Sequence, residues 1–336
     1  MSEPIRLAVV GATGALGRQI LLALERAELN LSELIPVASR ATRSPTVTYG
    51  GNDLPVHDET TVDLSRADII LAAPPPGFDR DAFQPALDRG GVVVDLAGLW
   101  GDSEEVPVVA PWANESDLDQ VMTAGVVRSP RPLAIALAAI AQPLHASLGI
   151  TGLRGTAMLP AVLAGREGTE ELSRQVVGLF NSSEPPRKVF PQGLAFDIIP
   201  AWGEVGAEGW TDYEQLVAAD VGALTGIEPR ALAITAVMAP LFAGMGISVH
   251  IVTEGMVGIE EVKHLMEQAP RIALLESAIK PLMTRARVDV DTVAVGRLRA
   301  DPVGAGVHLW AACDPTRLAA VNAVELAVQI ANGGYL

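Results

Sequence analysis

The sequence predicts an α/β protein of two domains, an N-terminal Rossmann-like dinucleotide-binding domain followed by an α+β domain. Three observations predict it. At 336 residues the chain is long enough for two domains of ordinary size, each with its own core. Its first half alternates short Val/Ile/Leu runs with amphipathic segments, the pattern of parallel strands joined by crossover helices. A glycine-spaced turn, Gly11-Ala12-Thr13-Gly14-Ala15-Leu16-Gly17, directly follows the first apolar run.

Residues 5–10 read as the first strand and 16–26 as the helix after the turn. Residues 34–38, 69–73 and 92–95 are further strands, continuously apolar as strands covered on both faces are, and 78–89 is an amphipathic segment. Prolines in Ser129-Pro130-Arg131-Pro132 interrupt the chain before a long apolar helix, 133–148, so the first domain is placed at 1–131. Beyond it the strands lengthen, at 232–238, 247–253, 292–299 and 307–313, with helices at 170–179 and 212–224. Asp301-Pro302-Val303-Gly304 joins the last two strands and signals an antiparallel pair. The second domain is placed at 132–314. A final helix, 315–331, begins on proline and stops before Gly333-Gly334, within a closing segment 315–336.

Apolar residues make up 49% of the chain and charged ones 19%, with few aromatics, so Ala, Val, Leu and Ile must fill the core. A formal net charge of -16 argues against a nucleic-acid groove or an electrostatic membrane anchor. The lone Cys313 excludes an intrachain disulfide framework, and no Cys or His pair has zinc-site spacing, so no metal is expected. The start has no basic region leading into an apolar stretch, and no apolar run approaches the roughly 20 residues of a spanning helix. The expectation is a cytoplasmic protein.

The turn from Gly11 to Gly17 carries the first functional reading. Gly11 permits a tight turn, Gly14 lets backbone approach a diphosphate, and Gly17 lets helix and strand pack. The N–H groups of Thr13, Ala15 and Leu16 lie where a helix start attracts anions. An acid at the end of the second strand would bind a free ribose 2′-hydroxyl. The chain has Ala38-Ser39-Arg40-Ala41-Thr42-Arg43-Ser44 there instead, so Ser39, Arg40 and Arg43 suit a 2′-phosphate and therefore NADP. An exposed polar loop is the alternative reading of the same residues.

The order of segments then resembles one family. Gly11 to Gly17, Ala38-Ser39, Val47-Thr48-Tyr49-Gly50-Gly51, Asp68-Ile69-Ile70, Val92-Val93-Val94-Asp95 and Val106-Pro107-Val108-Val109-Ala110-Pro111 lead to Pro143-Leu144-His145, Leu194-Ala195-Phe196, Asp314-Pro315-Thr316-Arg317 and Asn322-Ala323. Over nearly the whole chain this is similar to the aspartate-semialdehyde dehydrogenase family. The resemblance implies a nucleotide-binding domain, a second domain for catalysis and homodimerisation, and a last helix returning to the first domain. It also implies NADPH-dependent reduction of an aspartyl phosphate through a cysteine thioester, with Asn322 near the nicotinamide.

That chemistry needs a thiolate, a histidine for protons, and arginines for carboxylate and phosphate. The family's Asn-Pro-Asn-Cys type segment corresponds to Ser129-Pro130-Arg131-Pro132, which puts Pro132 in place of the cysteine. Proline has no nucleophile and no N–H. By spacing, the substrate-binding Arg and the catalytic His correspond to Met238 and Met245, the phosphate-binding Arg to Gly101, and a Gln to a position near Leu159. The Glu-Glu-x-Lys segment lands on Asp212-Tyr213-Glu214-Gln215. The resemblance is therefore to the cysteine-less, Usg-type branch, a pseudoenzyme reading with a regulatory or structural role. The alternative is an active NADP-dependent oxidoreductase on an aldehyde or acyl substrate with a rebuilt site. Cys313 is the candidate rescuing thiol, read otherwise as a small buried hydrophobe. The loop Pro74-Pro75-Pro76-Gly77 removes N–H donors where the family touches the dinucleotide.

Overall fold

Strand β1 (Ile5–Val10) is apolar at alternate positions on both sides, and the two sets of side chains enter two different cores. Leu7 and Val9 join one cluster, and Ala8 and Val10 the other. This is the consequence of a period of two on a sheet covered on both faces. The computed structural model describes residues 3–39, 45–101, 103–183, 186–275 and 279–336. The chain divides into two units, residues 1–131 with 319–336, and 132–318.

In the first unit the glycine turn leads from β1 into α1 (Ala15–Leu24) and β2 (Leu31–Ala38). A small hairpin, β3 (Thr46–Tyr49) and β4 (Asn52–Pro55), precedes β5 (His57–Asp58) and β6 (Ile69–Ala72). Then come α2 (Gln84–Leu87), β7 (Val92–Asp95), α3 (Pro111–Asn114), α4 (Val121–Ala124) and β8 (Val126–Arg128). The sheet order is β5-β2-β1-β6-β7-β8, and its strand pairings are parallel. The chain leaves β1 toward β2 and later returns to β1's other side as β6. That reversal opens the crevice where such sheets bind ligands.

The amphipathic segment at 78–89 forms less helix than its pattern suggests. It is a 3-10 turn, Arg80–Phe83, followed by the four-residue α2. Asp79 caps the turn by accepting the Asp81 N–H, and Pro85 cannot donate within a longer helix.

The second unit begins with α5 (Pro132–Leu148), which turns at Gly149 into β9 (Ile150–Leu159). It continues through α6 (Gly165–Phe180), α7 (Asp212–Thr225), β10 (Leu232–Met238) and β11 (Met245–Thr253). Next are α8 (Ile259–Gln268), β12 (Ile272–Leu274), β13 (Val293–Ala300) and β14 (Gly306–Cys313), and α9 (Pro315–Asn332) closes the chain. The order is β10-β9-β11-β14-β13-β12, antiparallel at the centre and parallel at both edges. Ile247, Val249 and Ile251 are buried, whereas Ser248, His250 and Val252 face a half-exposed side. Asp314 caps α9, accepting the N–H groups of Thr316 and Arg317 at 2.9 and 3.1 Å. From Ala320 onward α9 fills the first unit's core.

Candidate functional site

The nucleotide cradle is set by two close approaches. Gly11 sits at φ +84°, and a Cβ there would lie 2.0 Å from the carbonyl oxygen of Ala73, just after β6. A Cβ on Gly17 would lie 2.2 Å from the Gly11 carbonyl oxygen. Neither position accepts a side chain. The Gly11 and Ala12 N–H groups donate to the Val37 carbonyl at 2.9 and 3.0 Å, which ties the turn to β2. Gly14 is the N-cap of α1 and brings no side-chain acceptor, so Thr13, Ala15 and Leu16 border a helix start open to an anion. Arg18, which the sequence reading passed over, reaches back and donates from Nε to the Thr13 carbonyl at 3.2 Å. It places a cation beside the turn.

Ser39 is half-buried just beyond β2; Arg40 and Arg43 lie outside the described residues. The backbone N–H of Glu59 donates to the Ala38 carbonyl, so an acid not singled out from the sequence stands close to this strand end. One Glu59 carboxylate oxygen is buried without a partner, and burial, then the Asp58 carboxylate, pushes its pKa up. Pro74 is buried against Gly11, while Pro75, Pro76 and Gly77 are exposed. Asn322 is 2% exposed; its Nδ2 donates to the Val109 carbonyl at 3.3 Å and the Ser129 hydroxyl at 3.0 Å. Its Oδ1 is buried without a partner, an acceptor left over for a ligand. The glycine turn, the anion-ready helix start and this orphan acceptor fit a dinucleotide.

The positions matched to the family's catalytic groups behave differently. Leu159 and Met238 are register partners at the ends of β9 and β10, and Met245 pairs with Cys313 across β11 and β14. All four are fully buried. Pro132 is the first residue of α5, the helix that leads through Gly149 into β9. The structure thus brings Leu159, Met238 and Met245 to one end of one sheet, as a set without a proton donor, nucleophile or charge. Gly101, in the first unit, is exposed at φ +60°, and its carbonyl accepts from the Arg128 guanidinium. Glu214 does structural work. It closes a capping box with Thr211, and its other oxygen accepts the Ala236 N–H at 2.8 Å.

Cys313 stands beside Met245 with a strongly perturbed thiol. Burial first, then the Asp314 carboxylate, push its pKa far above the ordinary value, and Arg287 offsets only part of this. Arg287 is itself buried, with Nη2 donating to the Thr292 hydroxyl at 3.0 Å and Nε without a partner. Burial and the raised pKa both disfavour the nucleophilic thiolate.

Two family models match: the semialdehyde dehydrogenase NAD-binding domain over residues 6–121 and the semialdehyde dehydrogenase dimerisation domain over 142–318. The chain is 27% identical to the aspartate-semialdehyde dehydrogenase of Rickettsia bellii, covering 98% of both chains. It is 31% identical to the USG-1 protein homolog of Pseudomonas aeruginosa, covering 97% of both. Among solved structures it is similar to aspartate semialdehyde dehydrogenase II from Vibrio cholerae, with a TM-score of 0.90 at 26% identity over 98% of both chains. Sequence order, fold and cradle agree, and the chain belongs to the aspartate-semialdehyde dehydrogenase family.

Proposed function

We propose that this chain is a cysteine-less, Usg-type member of the family that keeps the NADP-binding scaffold, has lost thiol-dependent dehydrogenase chemistry, and serves a regulatory or structural role. The observation that carries this reading is the fate of sulfur: the chain's single thiol, Cys313, is fully buried with a raised pKa, and Pro132 occupies the helix start matched to the nucleophile. Its higher identity to the USG-1 homolog than to the Rickettsia enzyme supports the branch. The decisive experiment follows NADPH formation from aspartate semialdehyde, phosphate and NADP. No rate above the buffer blank is expected, and turnover that disappears in Cys313→Ala overturns the proposal.

NADP belongs at the turn from Gly11 to Gly17, its 2′-phosphate toward Ser39, Arg40 and Arg43, and its nicotinamide end toward Asn322. When bound, it supplies a hydride donor or acceptor; this chain's residues bind and orient it. Calorimetric titration tests the preference. Tighter NADP than NAD is expected, and preference for NAD would assign the strand end to Glu59 instead. The second unit carries homodimerisation, supported by the half-exposed sheet face with Thr156, Met158, Ser248 and Trp310, whose amphipathic surface suits a self-complementary interface. A monomeric mass in sedimentation equilibrium would contradict it.

One observation favours the alternative, a rebuilt oxidoreductase. Arg287 is a buried guanidinium with an unpartnered Nε next to the only thiol. A broad aldehyde and acyl-phosphate screen with NADP(H) tests it, and activity lost in Arg287→Met would establish this reading.

A further inference from the structure

Three side chains widely separated in sequence meet on the half-exposed face of the second unit's sheet. His250 and His308 are register partners across β11 and β14, and their rings stack with centroids 4.1 Å apart and planes 10° from parallel. Asp301, where the β13–β14 turn begins, directs Oδ2 to within 2.8 Å of His250 Nε2. Its side chain is only 8% exposed, and its Oδ1 is engaged by the Val303 N–H at 3.0 Å, which leaves Oδ2 for the histidines. One donor atom from each of the three lies within 4.8 Å of the others. Yet Nε2 of His250, buried, has no aligned hydrogen-bond partner.

We propose that His250, His308 and Asp301 bind one divalent transition-metal ion of the zinc class. Two imidazole nitrogens and one carboxylate oxygen suit Zn²⁺, Co²⁺ or Ni²⁺, whereas Mg²⁺ and Ca²⁺ favour oxygen ligands. Three protein ligands leave a fourth position for water. A metal lies in the plane of each imidazole that holds it, so the parallel stack opens on binding. His308, half-exposed, makes that turn about χ2, a broad torsion for histidine. Arg299 and Arg154 flank the pair in register on either side. Arg299 donates to the Arg297 carbonyl at 3.0 Å, and Arg154 lies over Gly152 along its own strand. The Asp301 carboxylate supplies the opposing charge.

The full-length protein, freed of metal by dialysis against a chelator, is titrated with Zn²⁺ by calorimetry and with Co²⁺ by visible absorption. One Zn²⁺ per chain is expected, with the intense d–d absorption of low-coordinate Co²⁺. His308→Gln and Asp301→Asn should weaken binding by about 100-fold or more, beyond the usual effect of losing an outer-shell partner. His250→Gln should abolish it. Circular dichroism and thermal melting verify that each variant is folded; if His250→Gln does not fold, the half-exposed His308→Gln decides. His57→Gln, an exposed histidine of the first unit, should leave the titration unchanged. Failure of the wild type to bind Zn²⁺ stoichiometrically, or unchanged binding in folded His308→Gln, overturns the proposal.

Discussion

Gly11 shows how much one residue without a side chain decides. Gly11→Ala would force both a left-handed backbone and a contact at 2.0 Å with a carbonyl oxygen, so a loss of about 2–4 kcal/mol is expected in urea titrations. Glu171 is the counterpart among carboxylates. It is 1% exposed and accepts the N–H groups of Lys188, Val189 and Phe190 at 2.8–2.9 Å. Burial alone would push its carboxyl up, but the N–H groups of Val189, Phe190 and Lys188, with Arg174, bring it below the ordinary value. A depressed folded pKa means that its stabilisation is present above the unfolded value, near 4.3, and is lost as pH falls through the folded one. Glu171→Gln should cost about 1–3 kcal/mol at pH 7 and flatten the acid limb of the stability curve. Cys313 should resist an aromatic disulfide reagent in the native protein and react fully once unfolded; rapid native labelling would contradict its buried state. Pro132, Met238 and Met245 were read from spacing within a resembling order, and the structure shows the two methionines fully buried at strand ends. His250, Asp301 and His308 were not, because no local spacing announces three residues that only strand register brings together.

At the scale of elements, signals strong in one dimension were the readable ones. The apolar runs of β1, β7 and β10 give their bounds directly from sequence, because most of their positions are apolar and buried. Segment 78–89 was less legible, since its apolar period is helical while Pro85 prevents a long helix. β9 was absent from the sequence reading: Gly152, Arg154, Gly155 and Thr156 interrupt its apolar pattern, and one of these glycines is required by neighbouring backbone. A Cβ on Gly155 would meet the Ser248 carbonyl at 2.0 Å. The capping box of α7 permits a direct test. Thr211→Ala should lower stability by about 1 kcal/mol, whereas removal of Glu214, which also holds β10 through Ala236, should cost more. Equal losses would mean that the link to β10 carries nothing.

For the whole molecule, the proposed function separates scaffold from chemistry. The first unit keeps a glycine turn in which two positions tolerate no side chain, and in the second the row Leu159, Met238, Met245 and Cys313 is sealed in the core. A nucleotide binding only the folded chain should stabilise it by about 2.7 kcal/mol at one hundred times its dissociation constant. A thermal shift with NADP is therefore expected even without turnover. The central claim, that binding outlived thiol chemistry, meets its most direct test in one calorimetric cell. NADP is titrated to saturation, aspartate semialdehyde and phosphate are injected, and the heat of reaction is followed. The account predicts saturable NADP binding followed by no sustained heat above dilution; continuous turnover heat that vanishes in Cys313→Ala would contradict it.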